Sequence, residues 1–359
     1  MAPVLLRSKK ACTYSSFNSD LYDVVHCYKR PSLFFFFRVI GVLGNRAFLL
    51  ARLAMFSQLM IVSALVGLVS AVTLVSPAAL KRQSITTISQ DQISSFKTYT
   101  FYAAAARCVP EVTRTWTCGV NCQGNPDFQP LDAGGDGAGT QFWFVGYDPH
   151  LDSAIVAHQS TNTSQILADL TDINLVFGKL NQTLFPGAPS SISVHDGFAR
   201  EHEKTADQVL SSVKTVLSNS KTSTVTVVGH SLGAALSLLD SVYLRLQLPA
   251  SVNVKAVVYG LPRVGNQDWA NFVDAQLPGQ VTHIHNLKDP VGIVPGRFLG
   301  YHHPNGEIHI QSSGDWDRCP GQDNPSELCI TGAVSSIFAG NETQHDGPYD
   351  GVTIKCLGE

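Results

Sequence analysis

Apolar residues in the second half of the chain follow strand-like and helical periods in turn. Residues 222–228 (TSTVTVV) form a β-branched run that is typical of a buried strand. Apolar positions between 198 and 217 recur every three or four residues, which predicts an amphipathic helix. A further helix is predicted at 231–246, with strands at 255–259 and 281–286. Because strands alternate with helices, the pattern predicts a parallel or mixed sheet covered on both faces.

The segment before residue 160 predicts one helix and one β-hairpin. Residues 94–107 are aromatic and rich in Ala, as expected of a packed helix. Residues 115–140 are rich in Gly, Pro and Asp, which predicts a loop. Short apolar strands are predicted at 142–147 and 154–157, and an Asp-Pro pair between them marks the turn of the hairpin.

Two other segments mix regular stretches with turns. Residues 162–175 (NTSQILADLTDINL) predict a partial helix. Residues 300–311 predict a hairpin-like pair of strand arms around a turn at 303–306.

An apolar run before residue 80 is typical of a targeting segment. Residues 59–72 (LMIVSALVGLVSAV) are apolar or small over about fourteen positions, fewer than the ~20 that a membrane-spanning helix needs. This length fits the apolar region of a secretory signal peptide. Residues 69–71 (VSA) form a small-residue cleavage pattern, and the Lys-Arg pair at 81–82 forms a dibasic processing site. These features predict a secreted, extracellular protein whose mature chain begins near Gln83.

The position of this run is unusual, because a signal peptide lies within the first ~30 residues of a secreted protein. We interpret residues 1–54 as a leader of doubtful origin, from a gene model that starts too early, with Met55 or Met60 as the true start. The alternative is a membrane anchor formed by residues 31–44 or 47–72.

The rest of the chain has the size of one α/β domain. Residues 55–82 are predicted to be a signal peptide and short propeptide, and residues 83–359 a single domain. The full sequence carries 25 Lys and Arg against 28 Asp and Glu, a net charge of −3. No basic excess exists, so nucleic acid is excluded as an expected partner. No obligate protein partner is indicated, and we expect a monomer.

Six of the eight cysteines follow residue 82. An even number in a secreted chain predicts three disulfides, and fifteen pairings are open to six cysteines. No Cys-x-x-Cys pair or His-x-x-x-His cluster accompanies them, so no metal site is predicted. The six are Cys108, Cys118, Cys122, Cys319, Cys329 and Cys356.

The strongest chemical signal is Gly229-His230-Ser231-Leu232-Gly233, which fits the G-x-S-x-G pattern of a nucleophile elbow. A predicted strand runs into it and a predicted helix leaves it. The two glycines lack a Cβ, so strand and helix can approach closely. The Ser231 hydroxyl then lies at a helix N-terminus, where the Leu232 backbone N–H can stabilise an oxyanion. We interpret His230 as a packing residue of the elbow rather than as a base.

A nucleophilic serine needs a base and an acid that orients the base. α/β-Hydrolases carry these groups in the chain order Ser, Asp or Glu, His. Asp289 is the candidate acid, because it follows the strand predicted at 281–286. His345 is the candidate base, because it lies in a turn-rich loop near the C-terminus, and His303 is the alternative. The later histidines are His302, His303, His309 and His345.

Three further segments carry a resemblance to a known family. Residues 259–266 (YGLPRVGN) look like its YGxPRVGN segment, and residues 288–295 (KDPVGIVP) look like its DPVPxLP acid loop. Residues 194–198 (VHDGF) look like its VHxGF junction. With the elbow, they resemble the fungal lipases of the lipase class 3 family, which includes triacylglycerol lipases and feruloyl esterases, over nearly all of residues 90–357. The resemblance implies an α/β-hydrolase fold, a single domain with a central, mostly parallel sheet flanked by helices.

The resemblance also implies how the oxyanion is bound. The family's FRGT or FRGS segment corresponds to residues 157–161 (AHQST), so Thr161 joins Leu232 as a donor. Gln159 and Ser160 replace the family's Arg and Gly. In some members that Arg pairs with a nearby acid, which a Gln cannot do.

The family's lid is a short amphipathic helix after that donor, and it corresponds in position to residues 162–170. Ile166 and Leu167 would cover the serine in water and turn toward lipid at an interface. The alternative is a fixed polar flap, as in feruloyl esterases of this fold, because residues 162–165 (NTSQ) are polar.

The resemblance selects among the disulfide pairings, and it implies Cys108–Cys356, Cys118–Cys122 and Cys319–Cys329. Glycosylation sequons begin at Asn162, Asn181 and Asn341, and Asn181 is the best candidate for modification.

Together these features predict a secreted serine carboxylic-ester hydrolase that works through a Ser-His-Asp triad and an acyl-enzyme. The expected partner is ester lipid at an oil–water interface, with triacylglycerol as the expected substrate. Feruloyl esters and phospholipids are the alternative substrates. A non-catalytic lipid- or wall-binding member of the fold is the alternative class. This chemistry requires no cofactor.

Overall fold

A nine-stranded sheet runs through the protein in its computed structural model. The structure describes residues 84–161, 165–168 and 176–356. Predictions for residues 1–82 lie outside the described residues, as do those for 162–164 and 169–175. The described residues belong to one compact unit that spans residues 80–359.

Thirteen described strands are numbered in chain order. They are β1 (Thr86–Thr87), β2 (Gln129–Gly134), β3 (Trp143–Asp148), β4 (Ser153–His158), β5 (Phe177–Gly178), β6 (Val194–His195), β7 (Thr224–His230), β8 (Asn253–Tyr259), β9 (Gly265–Asn266), β10 (Val281–Asn286), β11 (Tyr301–His302), β12 (Glu307–Ile310) and β13 (Trp316–Cys319).

The large sheet has the order β1-β13-β12-β10-β8-β7-β4-β3-β2. Its five central strands, from β12 to β4, pair in parallel. Antiparallel strands complete both edges. A second, small antiparallel sheet has the order β11-β9-β6-β5. The predicted mostly parallel central sheet is confirmed.

Helices cover both faces of the large sheet. They are α1 (Gln90–Ser95), α2 (Lys97–Ala105), α3 (Pro110–Arg114), α4 (Val120–Gln123), α5 (Asp196–Glu203), α6 (Ala206–Ser220), α7 (Leu232–Gln247), α8 (Gln267–Gln276) and α9 (Ile330–Ala333). Residues 165–168 are also helical.

Among the central strands, β4, β7 and β8 are rich in apolar residues because most of their positions are buried on both faces. Along β4, Ala154 and Val156 pack into the cluster under α6 and α7. Ile155 and Ala157 point the other way, into the cluster under α2. This period of two divides one strand between two apolar layers. The sheet is therefore held between helices from both sides, and its strand ends are fixed in position.

Three sequence predictions differ from the structure. The helix predicted at 198–217 is two helices, since α5 packs against α7 whereas α6 packs against β3 and β4. The loop predicted at 115–140 contains α4 and the edge strand β2. Strand β2 is only partly buried, so its sequence lacks the apolar run that would have indicated a strand. Its pairing with β3 is also irregular, because the register shifts between Pro130 and Asp132.

The predicted hairpin at 300–311 is also wrong. Its first arm, β11, pairs with β9 in the small sheet, whereas its second arm, β12, runs parallel to β10 in the large sheet. Gly306 separates them with φ +110°, a conformation that favours glycine. The two arms separate because each finds its partner elsewhere in the fold.

Candidate active site

Ser231 lies on the sharp turn between β7 and α7. Its backbone has φ 57° and ψ −124°, a strained conformation for a residue with a side chain. A Cβ on Gly229 would lie 2.2 Å from the Gly233 carbonyl oxygen. A Cβ on Gly233 would lie 2.3 Å from the His158 carbonyl oxygen at the end of β4. Both glycines are therefore required by close packing, and the elbow predicted from the motif is present.

The elbow places Ser231 at the N-terminus of a sixteen-residue helix, α7. Leu232 is the first residue of that helix, so its N–H has no acceptor within the helix. Such a group carries part of the positive end of the helix dipole. The position suits a donor to negative charge that develops beside the Ser231 hydroxyl.

The predicted acid and base lie together. Asp289 follows β10, and its Oδ1 accepts the Val291 N–H at 2.8 Å. The His345 Nδ1–H donates to Asp289 Oδ2 at 2.8 Å, although 56 residues separate them. Both side chains are fully buried. The aspartate therefore fixes the tautomer of the imidazole, with Nε2 left as the basic nitrogen.

Gly260 brings this pair next to the elbow. A Cβ on Gly260 would lie 2.7 Å from His345 Cε1 and 3.2 Å from Asp289 Oδ2. The adjacent Tyr259 carbonyl accepts the Ser231 N–H at 3.0 Å. In the part of the chain that the structure describes, the buried Ser231 Oγ and His345 Nε2 have no hydrogen-bond partner. A hydroxyl and a basic nitrogen are thus both free in one region.

The alternative base, His303, lies elsewhere. Its Nε2 bonds the Gly292 carbonyl at 2.8 Å, and its ring stacks on His283 at 5.1 Å. His302 bonds Asp323, and His309 bonds the carbonyl oxygens of two loops. The described contacts of these three histidines do not include Asp289. Burial lowers the pKa of His303 to about 4, so its imidazole is uncharged at neutral pH.

Residues 157–161 lie beside the elbow, where the resemblance predicts the second oxyanion donor. β4 pairs in parallel with β7, with His158 opposite Gly229. Gln159, at the position of the family's Arg, bonds the backbone of Phe142 just before β3. Its Oε1 accepts the Phe142 N–H at 2.7 Å, and its own N–H donates to the Phe142 carbonyl at 2.8 Å. Thr161, half-buried, follows this anchored stretch.

The two predicted lid residues are covered in this structure. Ile166 and Leu167 are buried and belong to the apolar cluster under α6 and α7. Ser231 is itself inaccessible to solvent.

Sequence reasoning missed a second connection between the elbow and the base. The His230 Nε2–H donates to the His345 carbonyl oxygen at 2.9 Å, and the Tyr349 hydroxyl donates to the same oxygen at 2.9 Å. Burial lowers the pKa of His230 well below its usual value. The prediction that His230 is not the base agrees with this geometry. Its position within the motif was the only sequence signal.

A second buried His–carboxylate cluster lies near the elbow. Asp240, in the middle of α7, binds the Nε2 of His158 through one oxygen and that of His202 through the other, the latter at 2.8 Å. All three side chains are buried. Although burial opposes the charge, the two imidazoles hold the Asp240 pKa below its usual value. This cluster ties β4, α5 and α7 together.

Three disulfides crosslink the domain. The pairs implied by the resemblance are present, namely Cys108–Cys356, Cys118–Cys122 and Cys319–Cys329. Among the described residues, the one grouping of metal-ligand type is Glu307 with Cys319 and Cys329, whose sulfurs are already bonded to each other.

No described helix has the length and apolarity to cross a membrane.

A parallel sheet with a serine elbow, followed along the chain by a carboxylate and a histidine, defines the α/β-hydrolase class. Solved structures agree at the level of the fold. Lip2 lipase from Yarrowia lipolytica superposes with a TM-score of 0.66 at 20% identity, over 76% of this chain and 98% of that one. A Rhizomucor miehei lipase in complex with its propeptide gives 0.65 at 21% identity, over 76% and 85%.

Sequence comparisons identify the family. The lipase (class 3) model matches residues 155–299. The secreted mono- and diacylglycerol lipase LIP1 of Malassezia globosa is 31% identical over 225 residues, 62% of this chain and 72% of that protein. MDL2, another secreted mono- and diacylglycerol lipase of that fungus, is 36% identical over 196 residues, 54% of this chain. The chain belongs to the class 3 lipase family.

The alignments do not reach across whole relatives. The aligned part spans 62% of MDL2 and 56% of MDL3, a third secreted mono- and diacylglycerol lipase of Malassezia globosa. The relatives are named as secreted proteins, which supports the secreted location expected from the signal-like run.

Proposed function

We propose that this protein is a secreted serine ester hydrolase that cleaves acylglycerols. One observation carries the proposal: Ser231 on a strained elbow and His345 bound to Asp289 leave a hydroxyl and an imidazole nitrogen free in one buried region. The family and the names of its relatives support lipid esters as the substrate class.

The reaction follows from the groups in place. Ser231 Oγ attacks the ester carbonyl carbon while His345 Nε2 takes the hydroxyl proton. The imidazolium passes that proton to the leaving alcohol, and an acyl-enzyme remains. Asp289 stabilises the imidazolium and keeps its orientation. Water then attacks the acyl-enzyme by the same steps and releases the fatty acid.

The tetrahedral intermediate carries a negative oxygen that needs fixed donors. The Leu232 N–H, at the start of α7, is one donor. The Thr161 N–H is the other, with its hydroxyl as an additional group. Gln159 holds the Thr161 loop against β3, and Gly233 packs on the same loop. Both donors are therefore oriented before the substrate arrives.

Labelling with a fluorophosphonate probe tests the proposal directly. Wild-type protein should label and hydrolyse a soluble p-nitrophenyl ester. Ser231→Ala should fold, fail to label and lose about 10⁴–10⁶-fold in kcat. A wild type that neither labels nor hydrolyses esters would favour the non-catalytic binding alternative.

Substrate choice is tested on emulsions of triacylglycerol, diacylglycerol and monoacylglycerol, with methyl ferulate and phospholipid vesicles as the other arms. Triacylglycerol was the first expectation from the sequence, whereas the named relatives favour the partial glycerides. We expect acylglycerols to be cleaved faster than methyl ferulate. Preferential cleavage of methyl ferulate or of phospholipid would overturn the substrate assignment.

We also propose that Ile166 and Leu167 belong to a moving lid, because the nucleophile is covered while these apolar residues are buried. Opening the lid exposes the apolar side chains of Ile166 and Leu167, which costs about 25 cal/mol per Å² in water. At a lipid surface this cost is absent, so the open form is favoured there. The rate should rise abruptly above the solubility limit of an ester substrate. A smooth saturation curve across that limit would favour the fixed flap.

The processing of the chain is a separate proposal. Cleavage near the dibasic pair at 81–82 would leave Gln83 as the first residue of a mature, monomeric, extracellular enzyme. N-terminal sequencing of the secreted protein tests this boundary, and light scattering tests the monomer. A secreted product that retains residues before 55 would contradict the early-start interpretation.

A further inference from the structure

The carbonyl group of His345 is held by two buried donors. His230 Nε2–H and Tyr349 Oη–H each lie 2.9 Å from its oxygen. All three side chains are fully buried. A carbonyl oxygen has two lone pairs, so two donors occupy both and fix the peptide in more than one direction.

We propose that His230 is a positioning residue, whose Nε2–H bond to the His345 carbonyl sets the place of the catalytic base relative to Ser231. The inference rests on the proposed function, because it takes His345 as the base. His230 and Ser231 are neighbours in sequence, whereas His345 follows 115 residues after His230. One imidazole therefore joins the strand of the nucleophile directly to the loop of the base.

The loop of the base needs such a contact because it contains little regular structure. Residues 342–344 form a single 3-10 turn, and His345 follows it as the cap. The next residue, Asp346, contacts the Arg107 guanidinium at 3.4 Å, and its carbonyl accepts the Ile354 N–H at 2.9 Å. These contacts hold the outer part of the loop. Among the described hydrogen bonds to this loop, the bond from His230 is the one that comes from the elbow.

The charge state of His230 suits this role. Its ring centroid lies 4.3 Å from that of His345. A cation there would oppose the imidazolium that His345 becomes during the reaction. Burial, followed by the positive charges of His345 and Arg107, lowers the pKa of His230 well below its usual value. His230 therefore stays neutral and offers a dipole without a competing charge.

Two carboxylates and two phenols lie around the pair of histidines. The Asp346 carboxylate lies 3.9 Å from His230 Nε2, and Asp289 binds the far side of His345. Tyr349 packs on Tyr259, the strand partner of His230. Burial raises the pKa of both phenols, so they remain neutral.

The test compares His230→Leu with His230→Gln on a soluble p-nitrophenyl ester, with enzyme counted by fluorophosphonate labelling at saturation. His230→Leu removes the donor, and we expect kcat to fall about 10–100-fold with KM within about twofold. In the pH profile of kcat/KM, the decline on the acid side should move to lower pH. The reason is that a Leu side chain stabilises the charged imidazolium of His345 less well than His230 does. His230→Gln retains an N–H donor of similar reach and should recover most of kcat.

His283→Leu is the matched control. It removes another buried imidazole that contacts a carbonyl group, Pro304 O at 3.2 Å, and it lies at the other end of β10. It should lower the free energy of unfolding, while kcat per labelled site and the acid side of the pH profile of kcat/KM stay unchanged. If His230→Leu does not fold, His230→Asn replaces it, because an Asn amide is too short to reach the carbonyl.

Two results would overturn the inference. One is a kcat for His230→Leu, or for His230→Asn, within twofold of wild type. The other is a His230→Gln variant that falls as far as His230→Leu. A wild type without hydrolysis would instead overturn the proposed function, so the two failures are distinguishable.

Discussion

Asp289 and Asp240 are both fully buried, and both bind histidine, yet the surroundings of the two carboxylates differ. Asp289 binds one imidazole, whose second nitrogen has no partner among the described residues. Asp240 binds two imidazoles, one through each oxygen. The first cluster lies beside a free hydroxyl, whereas the second joins three secondary-structure elements. His202 Nδ1 also lacks a partner among the described residues, so a free nitrogen alone does not mark a reactive pair. A buried His–Asp pair indicates chemistry where a free nucleophile lies in the same region.

The comparison is tested most strongly by the same isosteric change at both carboxylates. Asp289→Asn should lower kcat about 10⁴-fold, because the amide no longer holds the reactive tautomer of His345. Its fold should survive, as judged by circular dichroism and thermal melting. Steady-state kinetics on a soluble ester measures the loss. A decrease of less than tenfold would remove Asp289 from the triad.

Asp240→Asn should act on stability instead. The two imidazoles lose hydrogen bonds to a charged acceptor, each worth about 1.5–3 kcal/mol, so the free energy of unfolding should decrease. The free energy of unfolding in urea measures this change. kcat per labelled site should stay within about threefold of wild type. A 10⁴-fold loss of kcat at full folding would erase the distinction between the two clusters.

Gly260→Ala should disturb the Asp289 cluster without touching the Asp240 cluster. The added Cβ would collide with His345, so we expect kcat to fall about 10²-fold in ester hydrolysis. Gly279→Ala is the control. Its φ is +70° against +53° for Gly260, but no atom lies within 4 Å of the new Cβ. Both variants should show backbone strain, and only Gly260→Ala should lose kcat.

The smallest effect concerns buried histidines whose imidazole rings make no described hydrogen bond to a carboxylate. Burial lowers the pKa of His283 to about 3 and of His303 to about 4. Between these values and 6.5 the unfolded chain binds more protons, so stability falls as pH decreases below about 6.5. Each such group contributes about 1.4 kcal/mol per pH unit. Glu307, whose pKa burial raises to about 8, works in the opposite direction.

Unfolding free energies of wild type and His303→Gln at pH 7 and pH 5 measure this slope. The variant should show the shallower decline with decreasing pH. An equal slope in both proteins would mean that His303 does not contribute to the loss of stability in acid.

The clusters also show where sequence reasoning reached its limit. Ser231 and Asp289 were predicted because each follows a strand within a local motif. His345 was chosen among four histidines by its loop and chain order, and the structure places it against Asp289. The Asp240 cluster left no local signal, because its members are spread over residues 158, 202 and 240. Their burial makes them visible only once β4, α5 and α7 are packed.

The edge elements were the least predictable. The sequence predicts a loop where β2 forms and a hairpin at residues 300–311. Both predictions are wrong because the conformation of such segments depends on pairing partners far along the chain. The strand-like arms around Gly306 join different sheets for this reason.

By itself the sequence determined the alternation of strands and helices, the serine elbow, the candidate triad and the family resemblance, since all of these depend on local patterns of residues. The tertiary structure alone decided which histidine binds which aspartate, and that His230 contacts the carbonyl of His345. Hydrogen bonds act over about 3 Å, and only the folded chain brings residues separated by 56 or 115 positions within that distance.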